Sequence, residues 1–139
     1  MNAIKNIIER ASKLNGTVVL PEGNDPRVIT AACAVVDRQI CTPVVLGTAA
    51  EIADAEAKAG LKLADRNIRV IDYTQGDAEL EEAYLAAWNA KESRKPAEKQ
   101  KIIDLAGAQK TLRTKRIYFG GMMVKLGRVN GLVAGSIAS

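Results

Sequence analysis

Thr17-Val18-Val19-Leu20-Pro21-Glu22-Gly23-Asn24-Asp25-Pro26-Arg27-Val28-Ile29 is the stretch that decides the fold. Thr17 to Leu20 is a short, β-branched run without a charge, as a strand buried on both faces requires, and Pro21 ends it because proline has no N–H to give to a ladder. After the loop Glu22-Gly23-Asn24, Asp25 can cap a helix and Pro26 can occupy its first turn. Val28, Ile29, Ala32, Val35 and Val36 then recur at helical spacing and form an inner face. A buried strand feeding a helix through a tight turn is the opening half of a β-α-β unit.

The pattern extends in both directions. Upstream, residues 2–14 place Ile4, Ile7, Ile8, Ala11 and Leu14 on one helical stripe, and Asn15-Gly16 ends that helix as a left-handed cap would. Downstream, Pro43 to Leu46 reads as a second strand, Gly47 as a turn, and Thr48-Ala49-Ala50-Glu51 as a capping box opening a helix to about Lys58. Asn67 to Ile71 reads as a third strand, Asp72 to Gly76 as a turn, and a helix from about Asp77 turns Leu80, Tyr84, Ala87 and Trp88 inward. Three such units predict a single α/β domain over residues 1–139, with a mostly parallel sheet between two helical layers.

The last third of the chain is less regular. Lys91 to Lys101 is strongly charged and contains Pro96, so it reads as an exposed, flexible connection leading into a helix over about Ala97 to Ala108. A second helix is expected from about Thr114 to Arg128, with Phe119, Met122, Met123 and Leu126 on one stripe. Gly120-Gly121 interrupts it, and each mid-helix glycine costs about 1 kcal/mol relative to alanine, so the pair needs a close neighbour or ligand. Gly131 to Ala134 reads as a final strand running into Gly135-Ser136-Ile137-Ala138-Ser139.

Composition narrows the classes of function. The 139 residues are 47% hydrophobic but only 4% aromatic, which suits helices on a parallel sheet better than an aromatic-rich sandwich. Twenty basic and 16 acidic residues give a net charge of +4, with the basic excess gathered around Lys91 to Lys125. That asymmetry fits an anionic partner, and solvated helix faces would look the same. No aromatic residues alternate with the basic ones to stack bases, so nucleic acid is not expected. Cys33 and Cys41 lack a paired-ligand spacing and there is no histidine, which argues against a metal site and removes the commonest general base. Charges interrupt every apolar run, so neither a signal peptide nor a membrane span is expected, and a cytoplasmic location is the simplest reading.

Ligands of open α/β sheets bind beyond the carboxyl ends of the strands. Three stretches fall there. Pro21 to Arg27 concentrates Glu22, Asn24, Asp25 and Arg27, of which Asp25 and Pro26 are explained by helix capping, while Glu22 and Arg27 are candidates to line a cleft. Gly47-Thr48 is an ordinary turn with a capping box. Gly135, Ser136 and Ser139 could offer N–H and O–H donors to a phosphoryl or acyl oxygen, although a plain loop has the same composition. No GxGxxG, GxxxxGK[ST] or GxSxG pattern occurs, which removes the usual support for dinucleotide, P-loop and hydrolase readings.

Three ordered segments resemble the phosphate acetyl/butyryl transferase family. They are Val18-Val19-Leu20-Pro21-Glu22-Gly23-Asn24-Asp25-Pro26-Arg27-Val28, then Pro43-Val44-Val45-Leu46-Gly47, then Tyr118-Phe119-Gly120-Gly121-Met122-Met123-Val124-Lys125-Leu126-Gly127 continuing through Asn130-Gly131-Leu132-Val133-Ala134-Gly135. The resemblance implies reversible acyl transfer between coenzyme A and phosphate: acetyl-CoA and phosphate give acetyl phosphate and CoA. It implies no metal or redox cofactor, with coenzyme A as substrate. It also implies a two-domain, usually homodimeric enzyme with an isocitrate/isopropylmalate dehydrogenase-like fold, of which this chain is the amino-terminal portion.

In that picture a catalytic aspartate deprotonates the CoA thiol, and a serine with arginines stabilises the transition state. The family's catalytic serine and aspartate lie in its later half, so none is expected here. Arg94 is the nearest match to an arginine that contacts CoA, and the glycine pair would pack closely under the cleft. Acyl-chain length stays open between acetyl and butyryl. A non-catalytic module binding CoA or phosphate, or a regulatory one, is the remaining alternative.

Overall fold

Strands β1 (Thr17–Leu20), β2 (Thr42–Leu46), β3 (Arg69–Ile71) and β4 (Gly131–Leu132) form a parallel sheet in the order β3-β2-β1-β4 in the computed structural model, which describes residues 2–135. β1 is central, with Val18 beside Pro43 on one side and beside Gly131 on the other. The uncharged sequence of β1 has its explanation in this position: Val18, Val19 and Leu20 are almost fully buried because both faces are covered.

Alternation along the strands divides the core in two. Val18, Leu20 and Val45 pack with α1 (Ala3–Ser12), α2 (Pro26–Asp37) and α3 (Ala49–Ala59), the layer that carries Ile7, Ile29 and Ile52. Val19, Val44 and Leu46 face the opposite way, onto α4 (Ala78–Glu92), α5 (Leu105–Thr114) and α6 (Arg116–Lys125), with Phe119 and Met123 among their neighbours. The three-layer α/β arrangement expected from the sequence is present. Two helix starts are as read: Asp25 accepts from the Arg27 amide, and Thr48 and Glu51 complete a reciprocal capping box, whereas α1 ends earlier than expected, at Ser12 with Lys13 in a right-handed conformation, before Asn15-Gly16.

The later elements differ in detail from the sequence reading. Residues 97–99 form only a short 3-10 turn, and α5 begins at Leu105 because Asp104 accepts from the Gly107 amide. The expected helix over Thr114 to Arg128 starts instead at Arg116, since Lys115 adopts an extended backbone that breaks the chain between α5 and α6. Leu126 lies past the end of α6 and is 38% exposed, so the inward stripe is Phe119, Met122 and Met123. On α4, Leu80 is buried, whereas Tyr84, Ala87 and Trp88 are only half-buried.

The charged connection after α4 is exposed, but it is tied down. Asn89 Nδ2 donates to the Ile103 carbonyl while its Oδ1 accepts from the Ile103 amide, and Glu92 accepts from the Lys101 amide at 2.9 Å. The glycine pair in α6 divides by function. A Cβ on Gly120 would come within 2.9 Å of Leu132 and 3.5 Å of Val19, so this glycine lets α6 lie close on the sheet, whereas Gly121 faces open space.

Candidate functional site

The strand order changes direction at β1. The chain first steps outward through α2 and α3 to β2 and β3, then passes over the opposite face through α4, α5 and α6 to reach β4 on the other side of β1. Ligand crevices of open α/β sheets lie outside the carboxyl ends of the two strands flanking such a reversal. Here those strands are β1 and β4, and the segments after them are Pro21 to Arg27 and Val133 to Gly135. Two of the three stretches picked out in the sequence therefore meet.

The meeting point is a hydrogen bond. The Gly135 amide donates to Glu22 Oε1 at 2.8 Å, joining residues 113 positions apart. The Val133 amide donates to the Val19 carbonyl, extending the β1–β4 ladder by one bond, and Gly135 then adopts φ +77°, a left-handed conformation open to glycine. Arg10 of α1 donates to the Ala134 carbonyl at 2.6 Å. Both sides of this loop are thus fixed.

Gly23 explains why the β1 loop turns so sharply. Its amide donates to the Leu46 carbonyl at 2.9 Å, and a side chain at this position would run into that same carbonyl and into Ile52 and Val45. The glycine is needed for backbone approach. It brings the Glu22 loop down against the end of β2.

A residue that sequence reading passed over organises this edge. Arg116, the first residue of α6, donates to Glu51 Oε2 at 2.6 Å, to Tyr73 Oη at 2.8 Å and to Asn24 Oδ1 at 3.3 Å, with a longer 3.5 Å approach to the Pro21 carbonyl. Its guanidinium also lies over the Tyr73 ring, 4.8 Å from the centroid. The loop after β1, the first turn of α3 and the segment after β3 are therefore joined through one side chain. Burial alone would push the Glu51 carboxyl up, but the Thr48 amide and Arg116 outweigh it and hold Glu51 below the usual carboxylate range. Burial raises the Tyr73 phenol, which therefore stays protonated at neutral pH. Nothing in the local sequence of Arg116 distinguishes it from the other basic residues of its region, because its partners come from three distant segments.

The remaining candidates are placed as follows. Arg27 is half-exposed and is held by Asp25, with Nη2 and Oδ2 2.8 Å apart, so its guanidinium stays beside the helix cap. Arg94 is exposed, past the end of α4. α4 runs antiparallel to α6: Asp77 and Glu79 at its start pair with Arg128, while Tyr84 packs against Tyr118 near the start of α6. Arg94 thus leaves α4 toward the end where Arg116 meets Pro21, without a contact to Glu22 or Gly135. Ser136 and Ser139 lie outside the described residues. Among the described residues no group of three or more His, Cys, Asp and Glu side chains is placed to hold a metal ion, and no helix is long and apolar enough to cross a membrane.

These features define a doubly wound α/β domain whose polar loops gather at a β1–β4 reversal. The model of the phosphate acetyl/butaryl transferase family matches residues 2–139, and the chain belongs to that family. It is 38% identical over 137 residues to a phosphate acetyltransferase of Thermoanaerobacterium thermosaccharolyticum, matching 99% of this chain and 38% of that relative. A phosphate acetyltransferase of Acetivibrio thermocellus is 30% identical over 139 residues, and the chain spans 38% of its length as well. Among solved structures, the EutD phosphotransacetylase from Staphylococcus aureus superposes with a TM-score of 0.68 at 31% identity, over 98% of this chain and 39% of that one. A phosphotransacetylase from Streptococcus pyogenes gives 0.70 at 30% identity, over 97% and 39%.

Proposed function

We propose that this chain is the amino-terminal portion of a two-domain phosphate acetyltransferase, in which it forms one wall of the cleft that binds coenzyme A and acetyl phosphate. The observation carrying this reading is the Glu22–Gly135 bond at the β1–β4 reversal, which sets two polar loops where this class of sheet binds its ligands. Membership of the family supports acyl transfer as the chemistry, and the relatives described above carry the acetyl form of that activity. The larger fold in this reading is isocitrate/isopropylmalate dehydrogenase-like, and the complete enzyme is a homodimer.

In the reaction, the CoA thiolate attacks the carbonyl carbon of acetyl phosphate, and phosphate leaves as the thioester forms. Negative charge spreads over carbonyl and phosphoryl oxygens, so cationic and N–H donors are needed around it. Within this chain, Glu22 acts as a positioning residue, since its carboxyl group engages the Gly135 amide, and the hydroxyls of Ser136 and Ser139 are substrate donors in this reading. Arg94 meets an anionic group of CoA. Arg27 lines the loop with its guanidinium oriented by Asp25. The catalytic serine and aspartate come from the rest of the enzyme.

The test compares the 139-residue chain with a carboxyl-terminally extended form, measuring acetyl-CoA formed from acetyl phosphate and CoA. Turnover only by the extended form is expected. Turnover by the 139-residue chain would overturn the assignment of catalytic groups to the remainder, and no turnover by either would overturn the activity. In the extended form, Arg94→Ala is expected to raise KM for CoA more than KM for acetyl phosphate, and equal effects remove Arg94 from the site.

A further inference from the structure

The opposite end of the sheet carries a second concavity. A groove of about 720 Å³ opens at the amino ends of β1, β2 and β3, within the size range of small-molecule sites. Three arginines line it, Arg66, Arg69 and Arg128, and among the described residues no aspartate or glutamate does. Its floor is partly apolar, with Val36, Val44 and Ile68. The lining thus combines cationic and apolar side chains.

The three arginines are not equivalent. Arg128 has its charge balanced by Asp77 and Glu79. Arg66 is held by Asp37 through Nε at 2.9 Å and Nη2 at 3.0 Å, which leaves three of the five guanidinium N–H groups available on an already oriented side chain. Arg69 is exposed and has no ion-pair partner among the described residues. Arg66 and Arg69 are therefore the two groups with donors to offer.

Two amides flank them. Gln39 and Asn67 line the same groove and, among the described residues, are the two non-glycine residues with positive φ, both at 55°. Backbone bonding accounts for the conformations: the Gln39 and Ile40 amides return to the Val36 and Val35 carbonyls, and the Asn67 and Ile68 amides to the Ala64 and Leu63 carbonyls. Glycine is the usual residue at such left-handed caps. Asparagine tolerates the position, but glutamine there retains a long amide at the groove at some conformational cost.

We propose that this amino-end groove binds a phosphate-bearing organic anion of nucleotide size, with the phosphate at Arg66 and Arg69, its ring on the apolar floor, and Gln39 and Asn67 bonding the polar edge. The groove lies at the opposite end of the sheet from the Glu22 and Gly135 loops. Cys41 also lines the groove and is partly exposed, whereas Cys33 is buried, so Cys41 serves as a reporter of occupancy.

The probe is adenosine 5′-monophosphate, titrated into the isotopically labelled protein and followed by nuclear magnetic resonance. Saturable shifts are expected at the side-chain amides of Gln39 and Asn67 and the backbone amides of Thr42 and Arg69. Arg69→Glu, a change on an exposed side chain, is expected to weaken the apparent affinity at least tenfold. In the unaltered protein, saturating nucleotide is expected to slow alkylation of Cys41 by iodoacetamide at least threefold. Shifts that survive Arg69→Glu, shifts reproduced by sodium chloride at matched ionic strength, or unchanged alkylation of Cys41 would each overturn the site. Inorganic phosphate binding as tightly as the nucleotide would overturn the assigned ligand class.

Discussion

Glu22 and Gly135 are joined by a 2.8 Å hydrogen bond between a side-chain carboxylate on one loop and a backbone amide on another. The donor is fixed by the backbone, so the bond ties the loop after β1 to the segment after β4. Glu22 thereby holds the backbone at Gly135 in place. In Glu22→Ala the Gly135 amide loses this acceptor, a loss of about 1 kcal/mol that corresponds to roughly fivefold faster exchange through local opening. Hydrogen exchange at Gly135 measures it, and Glu22→Gln, which keeps an acceptor oxygen, should restore most of the protection.

Gly23 tests the close approach of the β1 and β2 loops. A methyl group there meets the Leu46 carbonyl, which as backbone cannot swing aside. Gly23→Ala is expected to destabilise the protein by about 2 kcal/mol through overpacking. The unfolding midpoint in urea reads this out. Gly121→Ala, with open space around its new methyl group, should instead gain up to about 1 kcal/mol from helix propensity.

Arg116 and Glu51 form a partly buried pair, with side chains 17% and 28% exposed. Arg116→Met removes the donors to Glu51, Tyr73 and Asn24 at once and is expected to cost about 2–4 kcal/mol, toward the range seen when one partner of a buried pair is removed. A double-mutant cycle with Glu51→Gln should give a coupling of about 1 kcal/mol or more, the signature of direct contact. A coupling near zero would show that Arg116 acts through Tyr73 and Asn24 instead of Glu51.

Asp77 supplies a pH dependence. Its hydrogen bonds from Arg128, opposed by burial and aided by the Leu80 amide, hold its carboxyl below the usual range. Because the folded value is lower than the unfolded one, the stabilisation is fully present above about pH 4, the ordinary carboxylate value, and is lost as pH falls through the folded value. Asp77→Asn should therefore be less stable than the parent at pH 7, with the difference shrinking as pH falls below about 4. Urea denaturation across that range checks the sign.

Local signals carried most of the layer architecture. Thr17 to Leu20 and Pro43 to Leu46 are strands buried on two faces, and such strands announce themselves as uncharged runs whatever their neighbours. Asp25, Thr48 and Glu51 cap helices through bonds within three residues, so their roles were equally legible. The strand order was not, because the choice to cross to the far side of β1 after β3 depends on which face α4, α5 and α6 can cover. The break at Lys115 escaped for a related reason: α6 must start where Arg116 can reach Glu51 and Tyr73, and tertiary contact overrides the continuous helical pattern. Glu22 and Gly135 were singled out separately, but their contact spans nearly the whole chain.

The position of β1 also has a temporal meaning. Its pairing with β2 closes after a short crossover, whereas its pairing with β4 must wait for a segment more than a hundred residues later, and only two residue pairs, Val18 with Gly131 and Val19 with Leu132, then seal it. Non-local pairing of this kind bears its loop-closure entropy before it is rewarded, so it belongs to the late part of folding. During synthesis, β1 emerges before the other described strands, and the edge it offers to β4 stays open until Gly131 and Leu132 have been made.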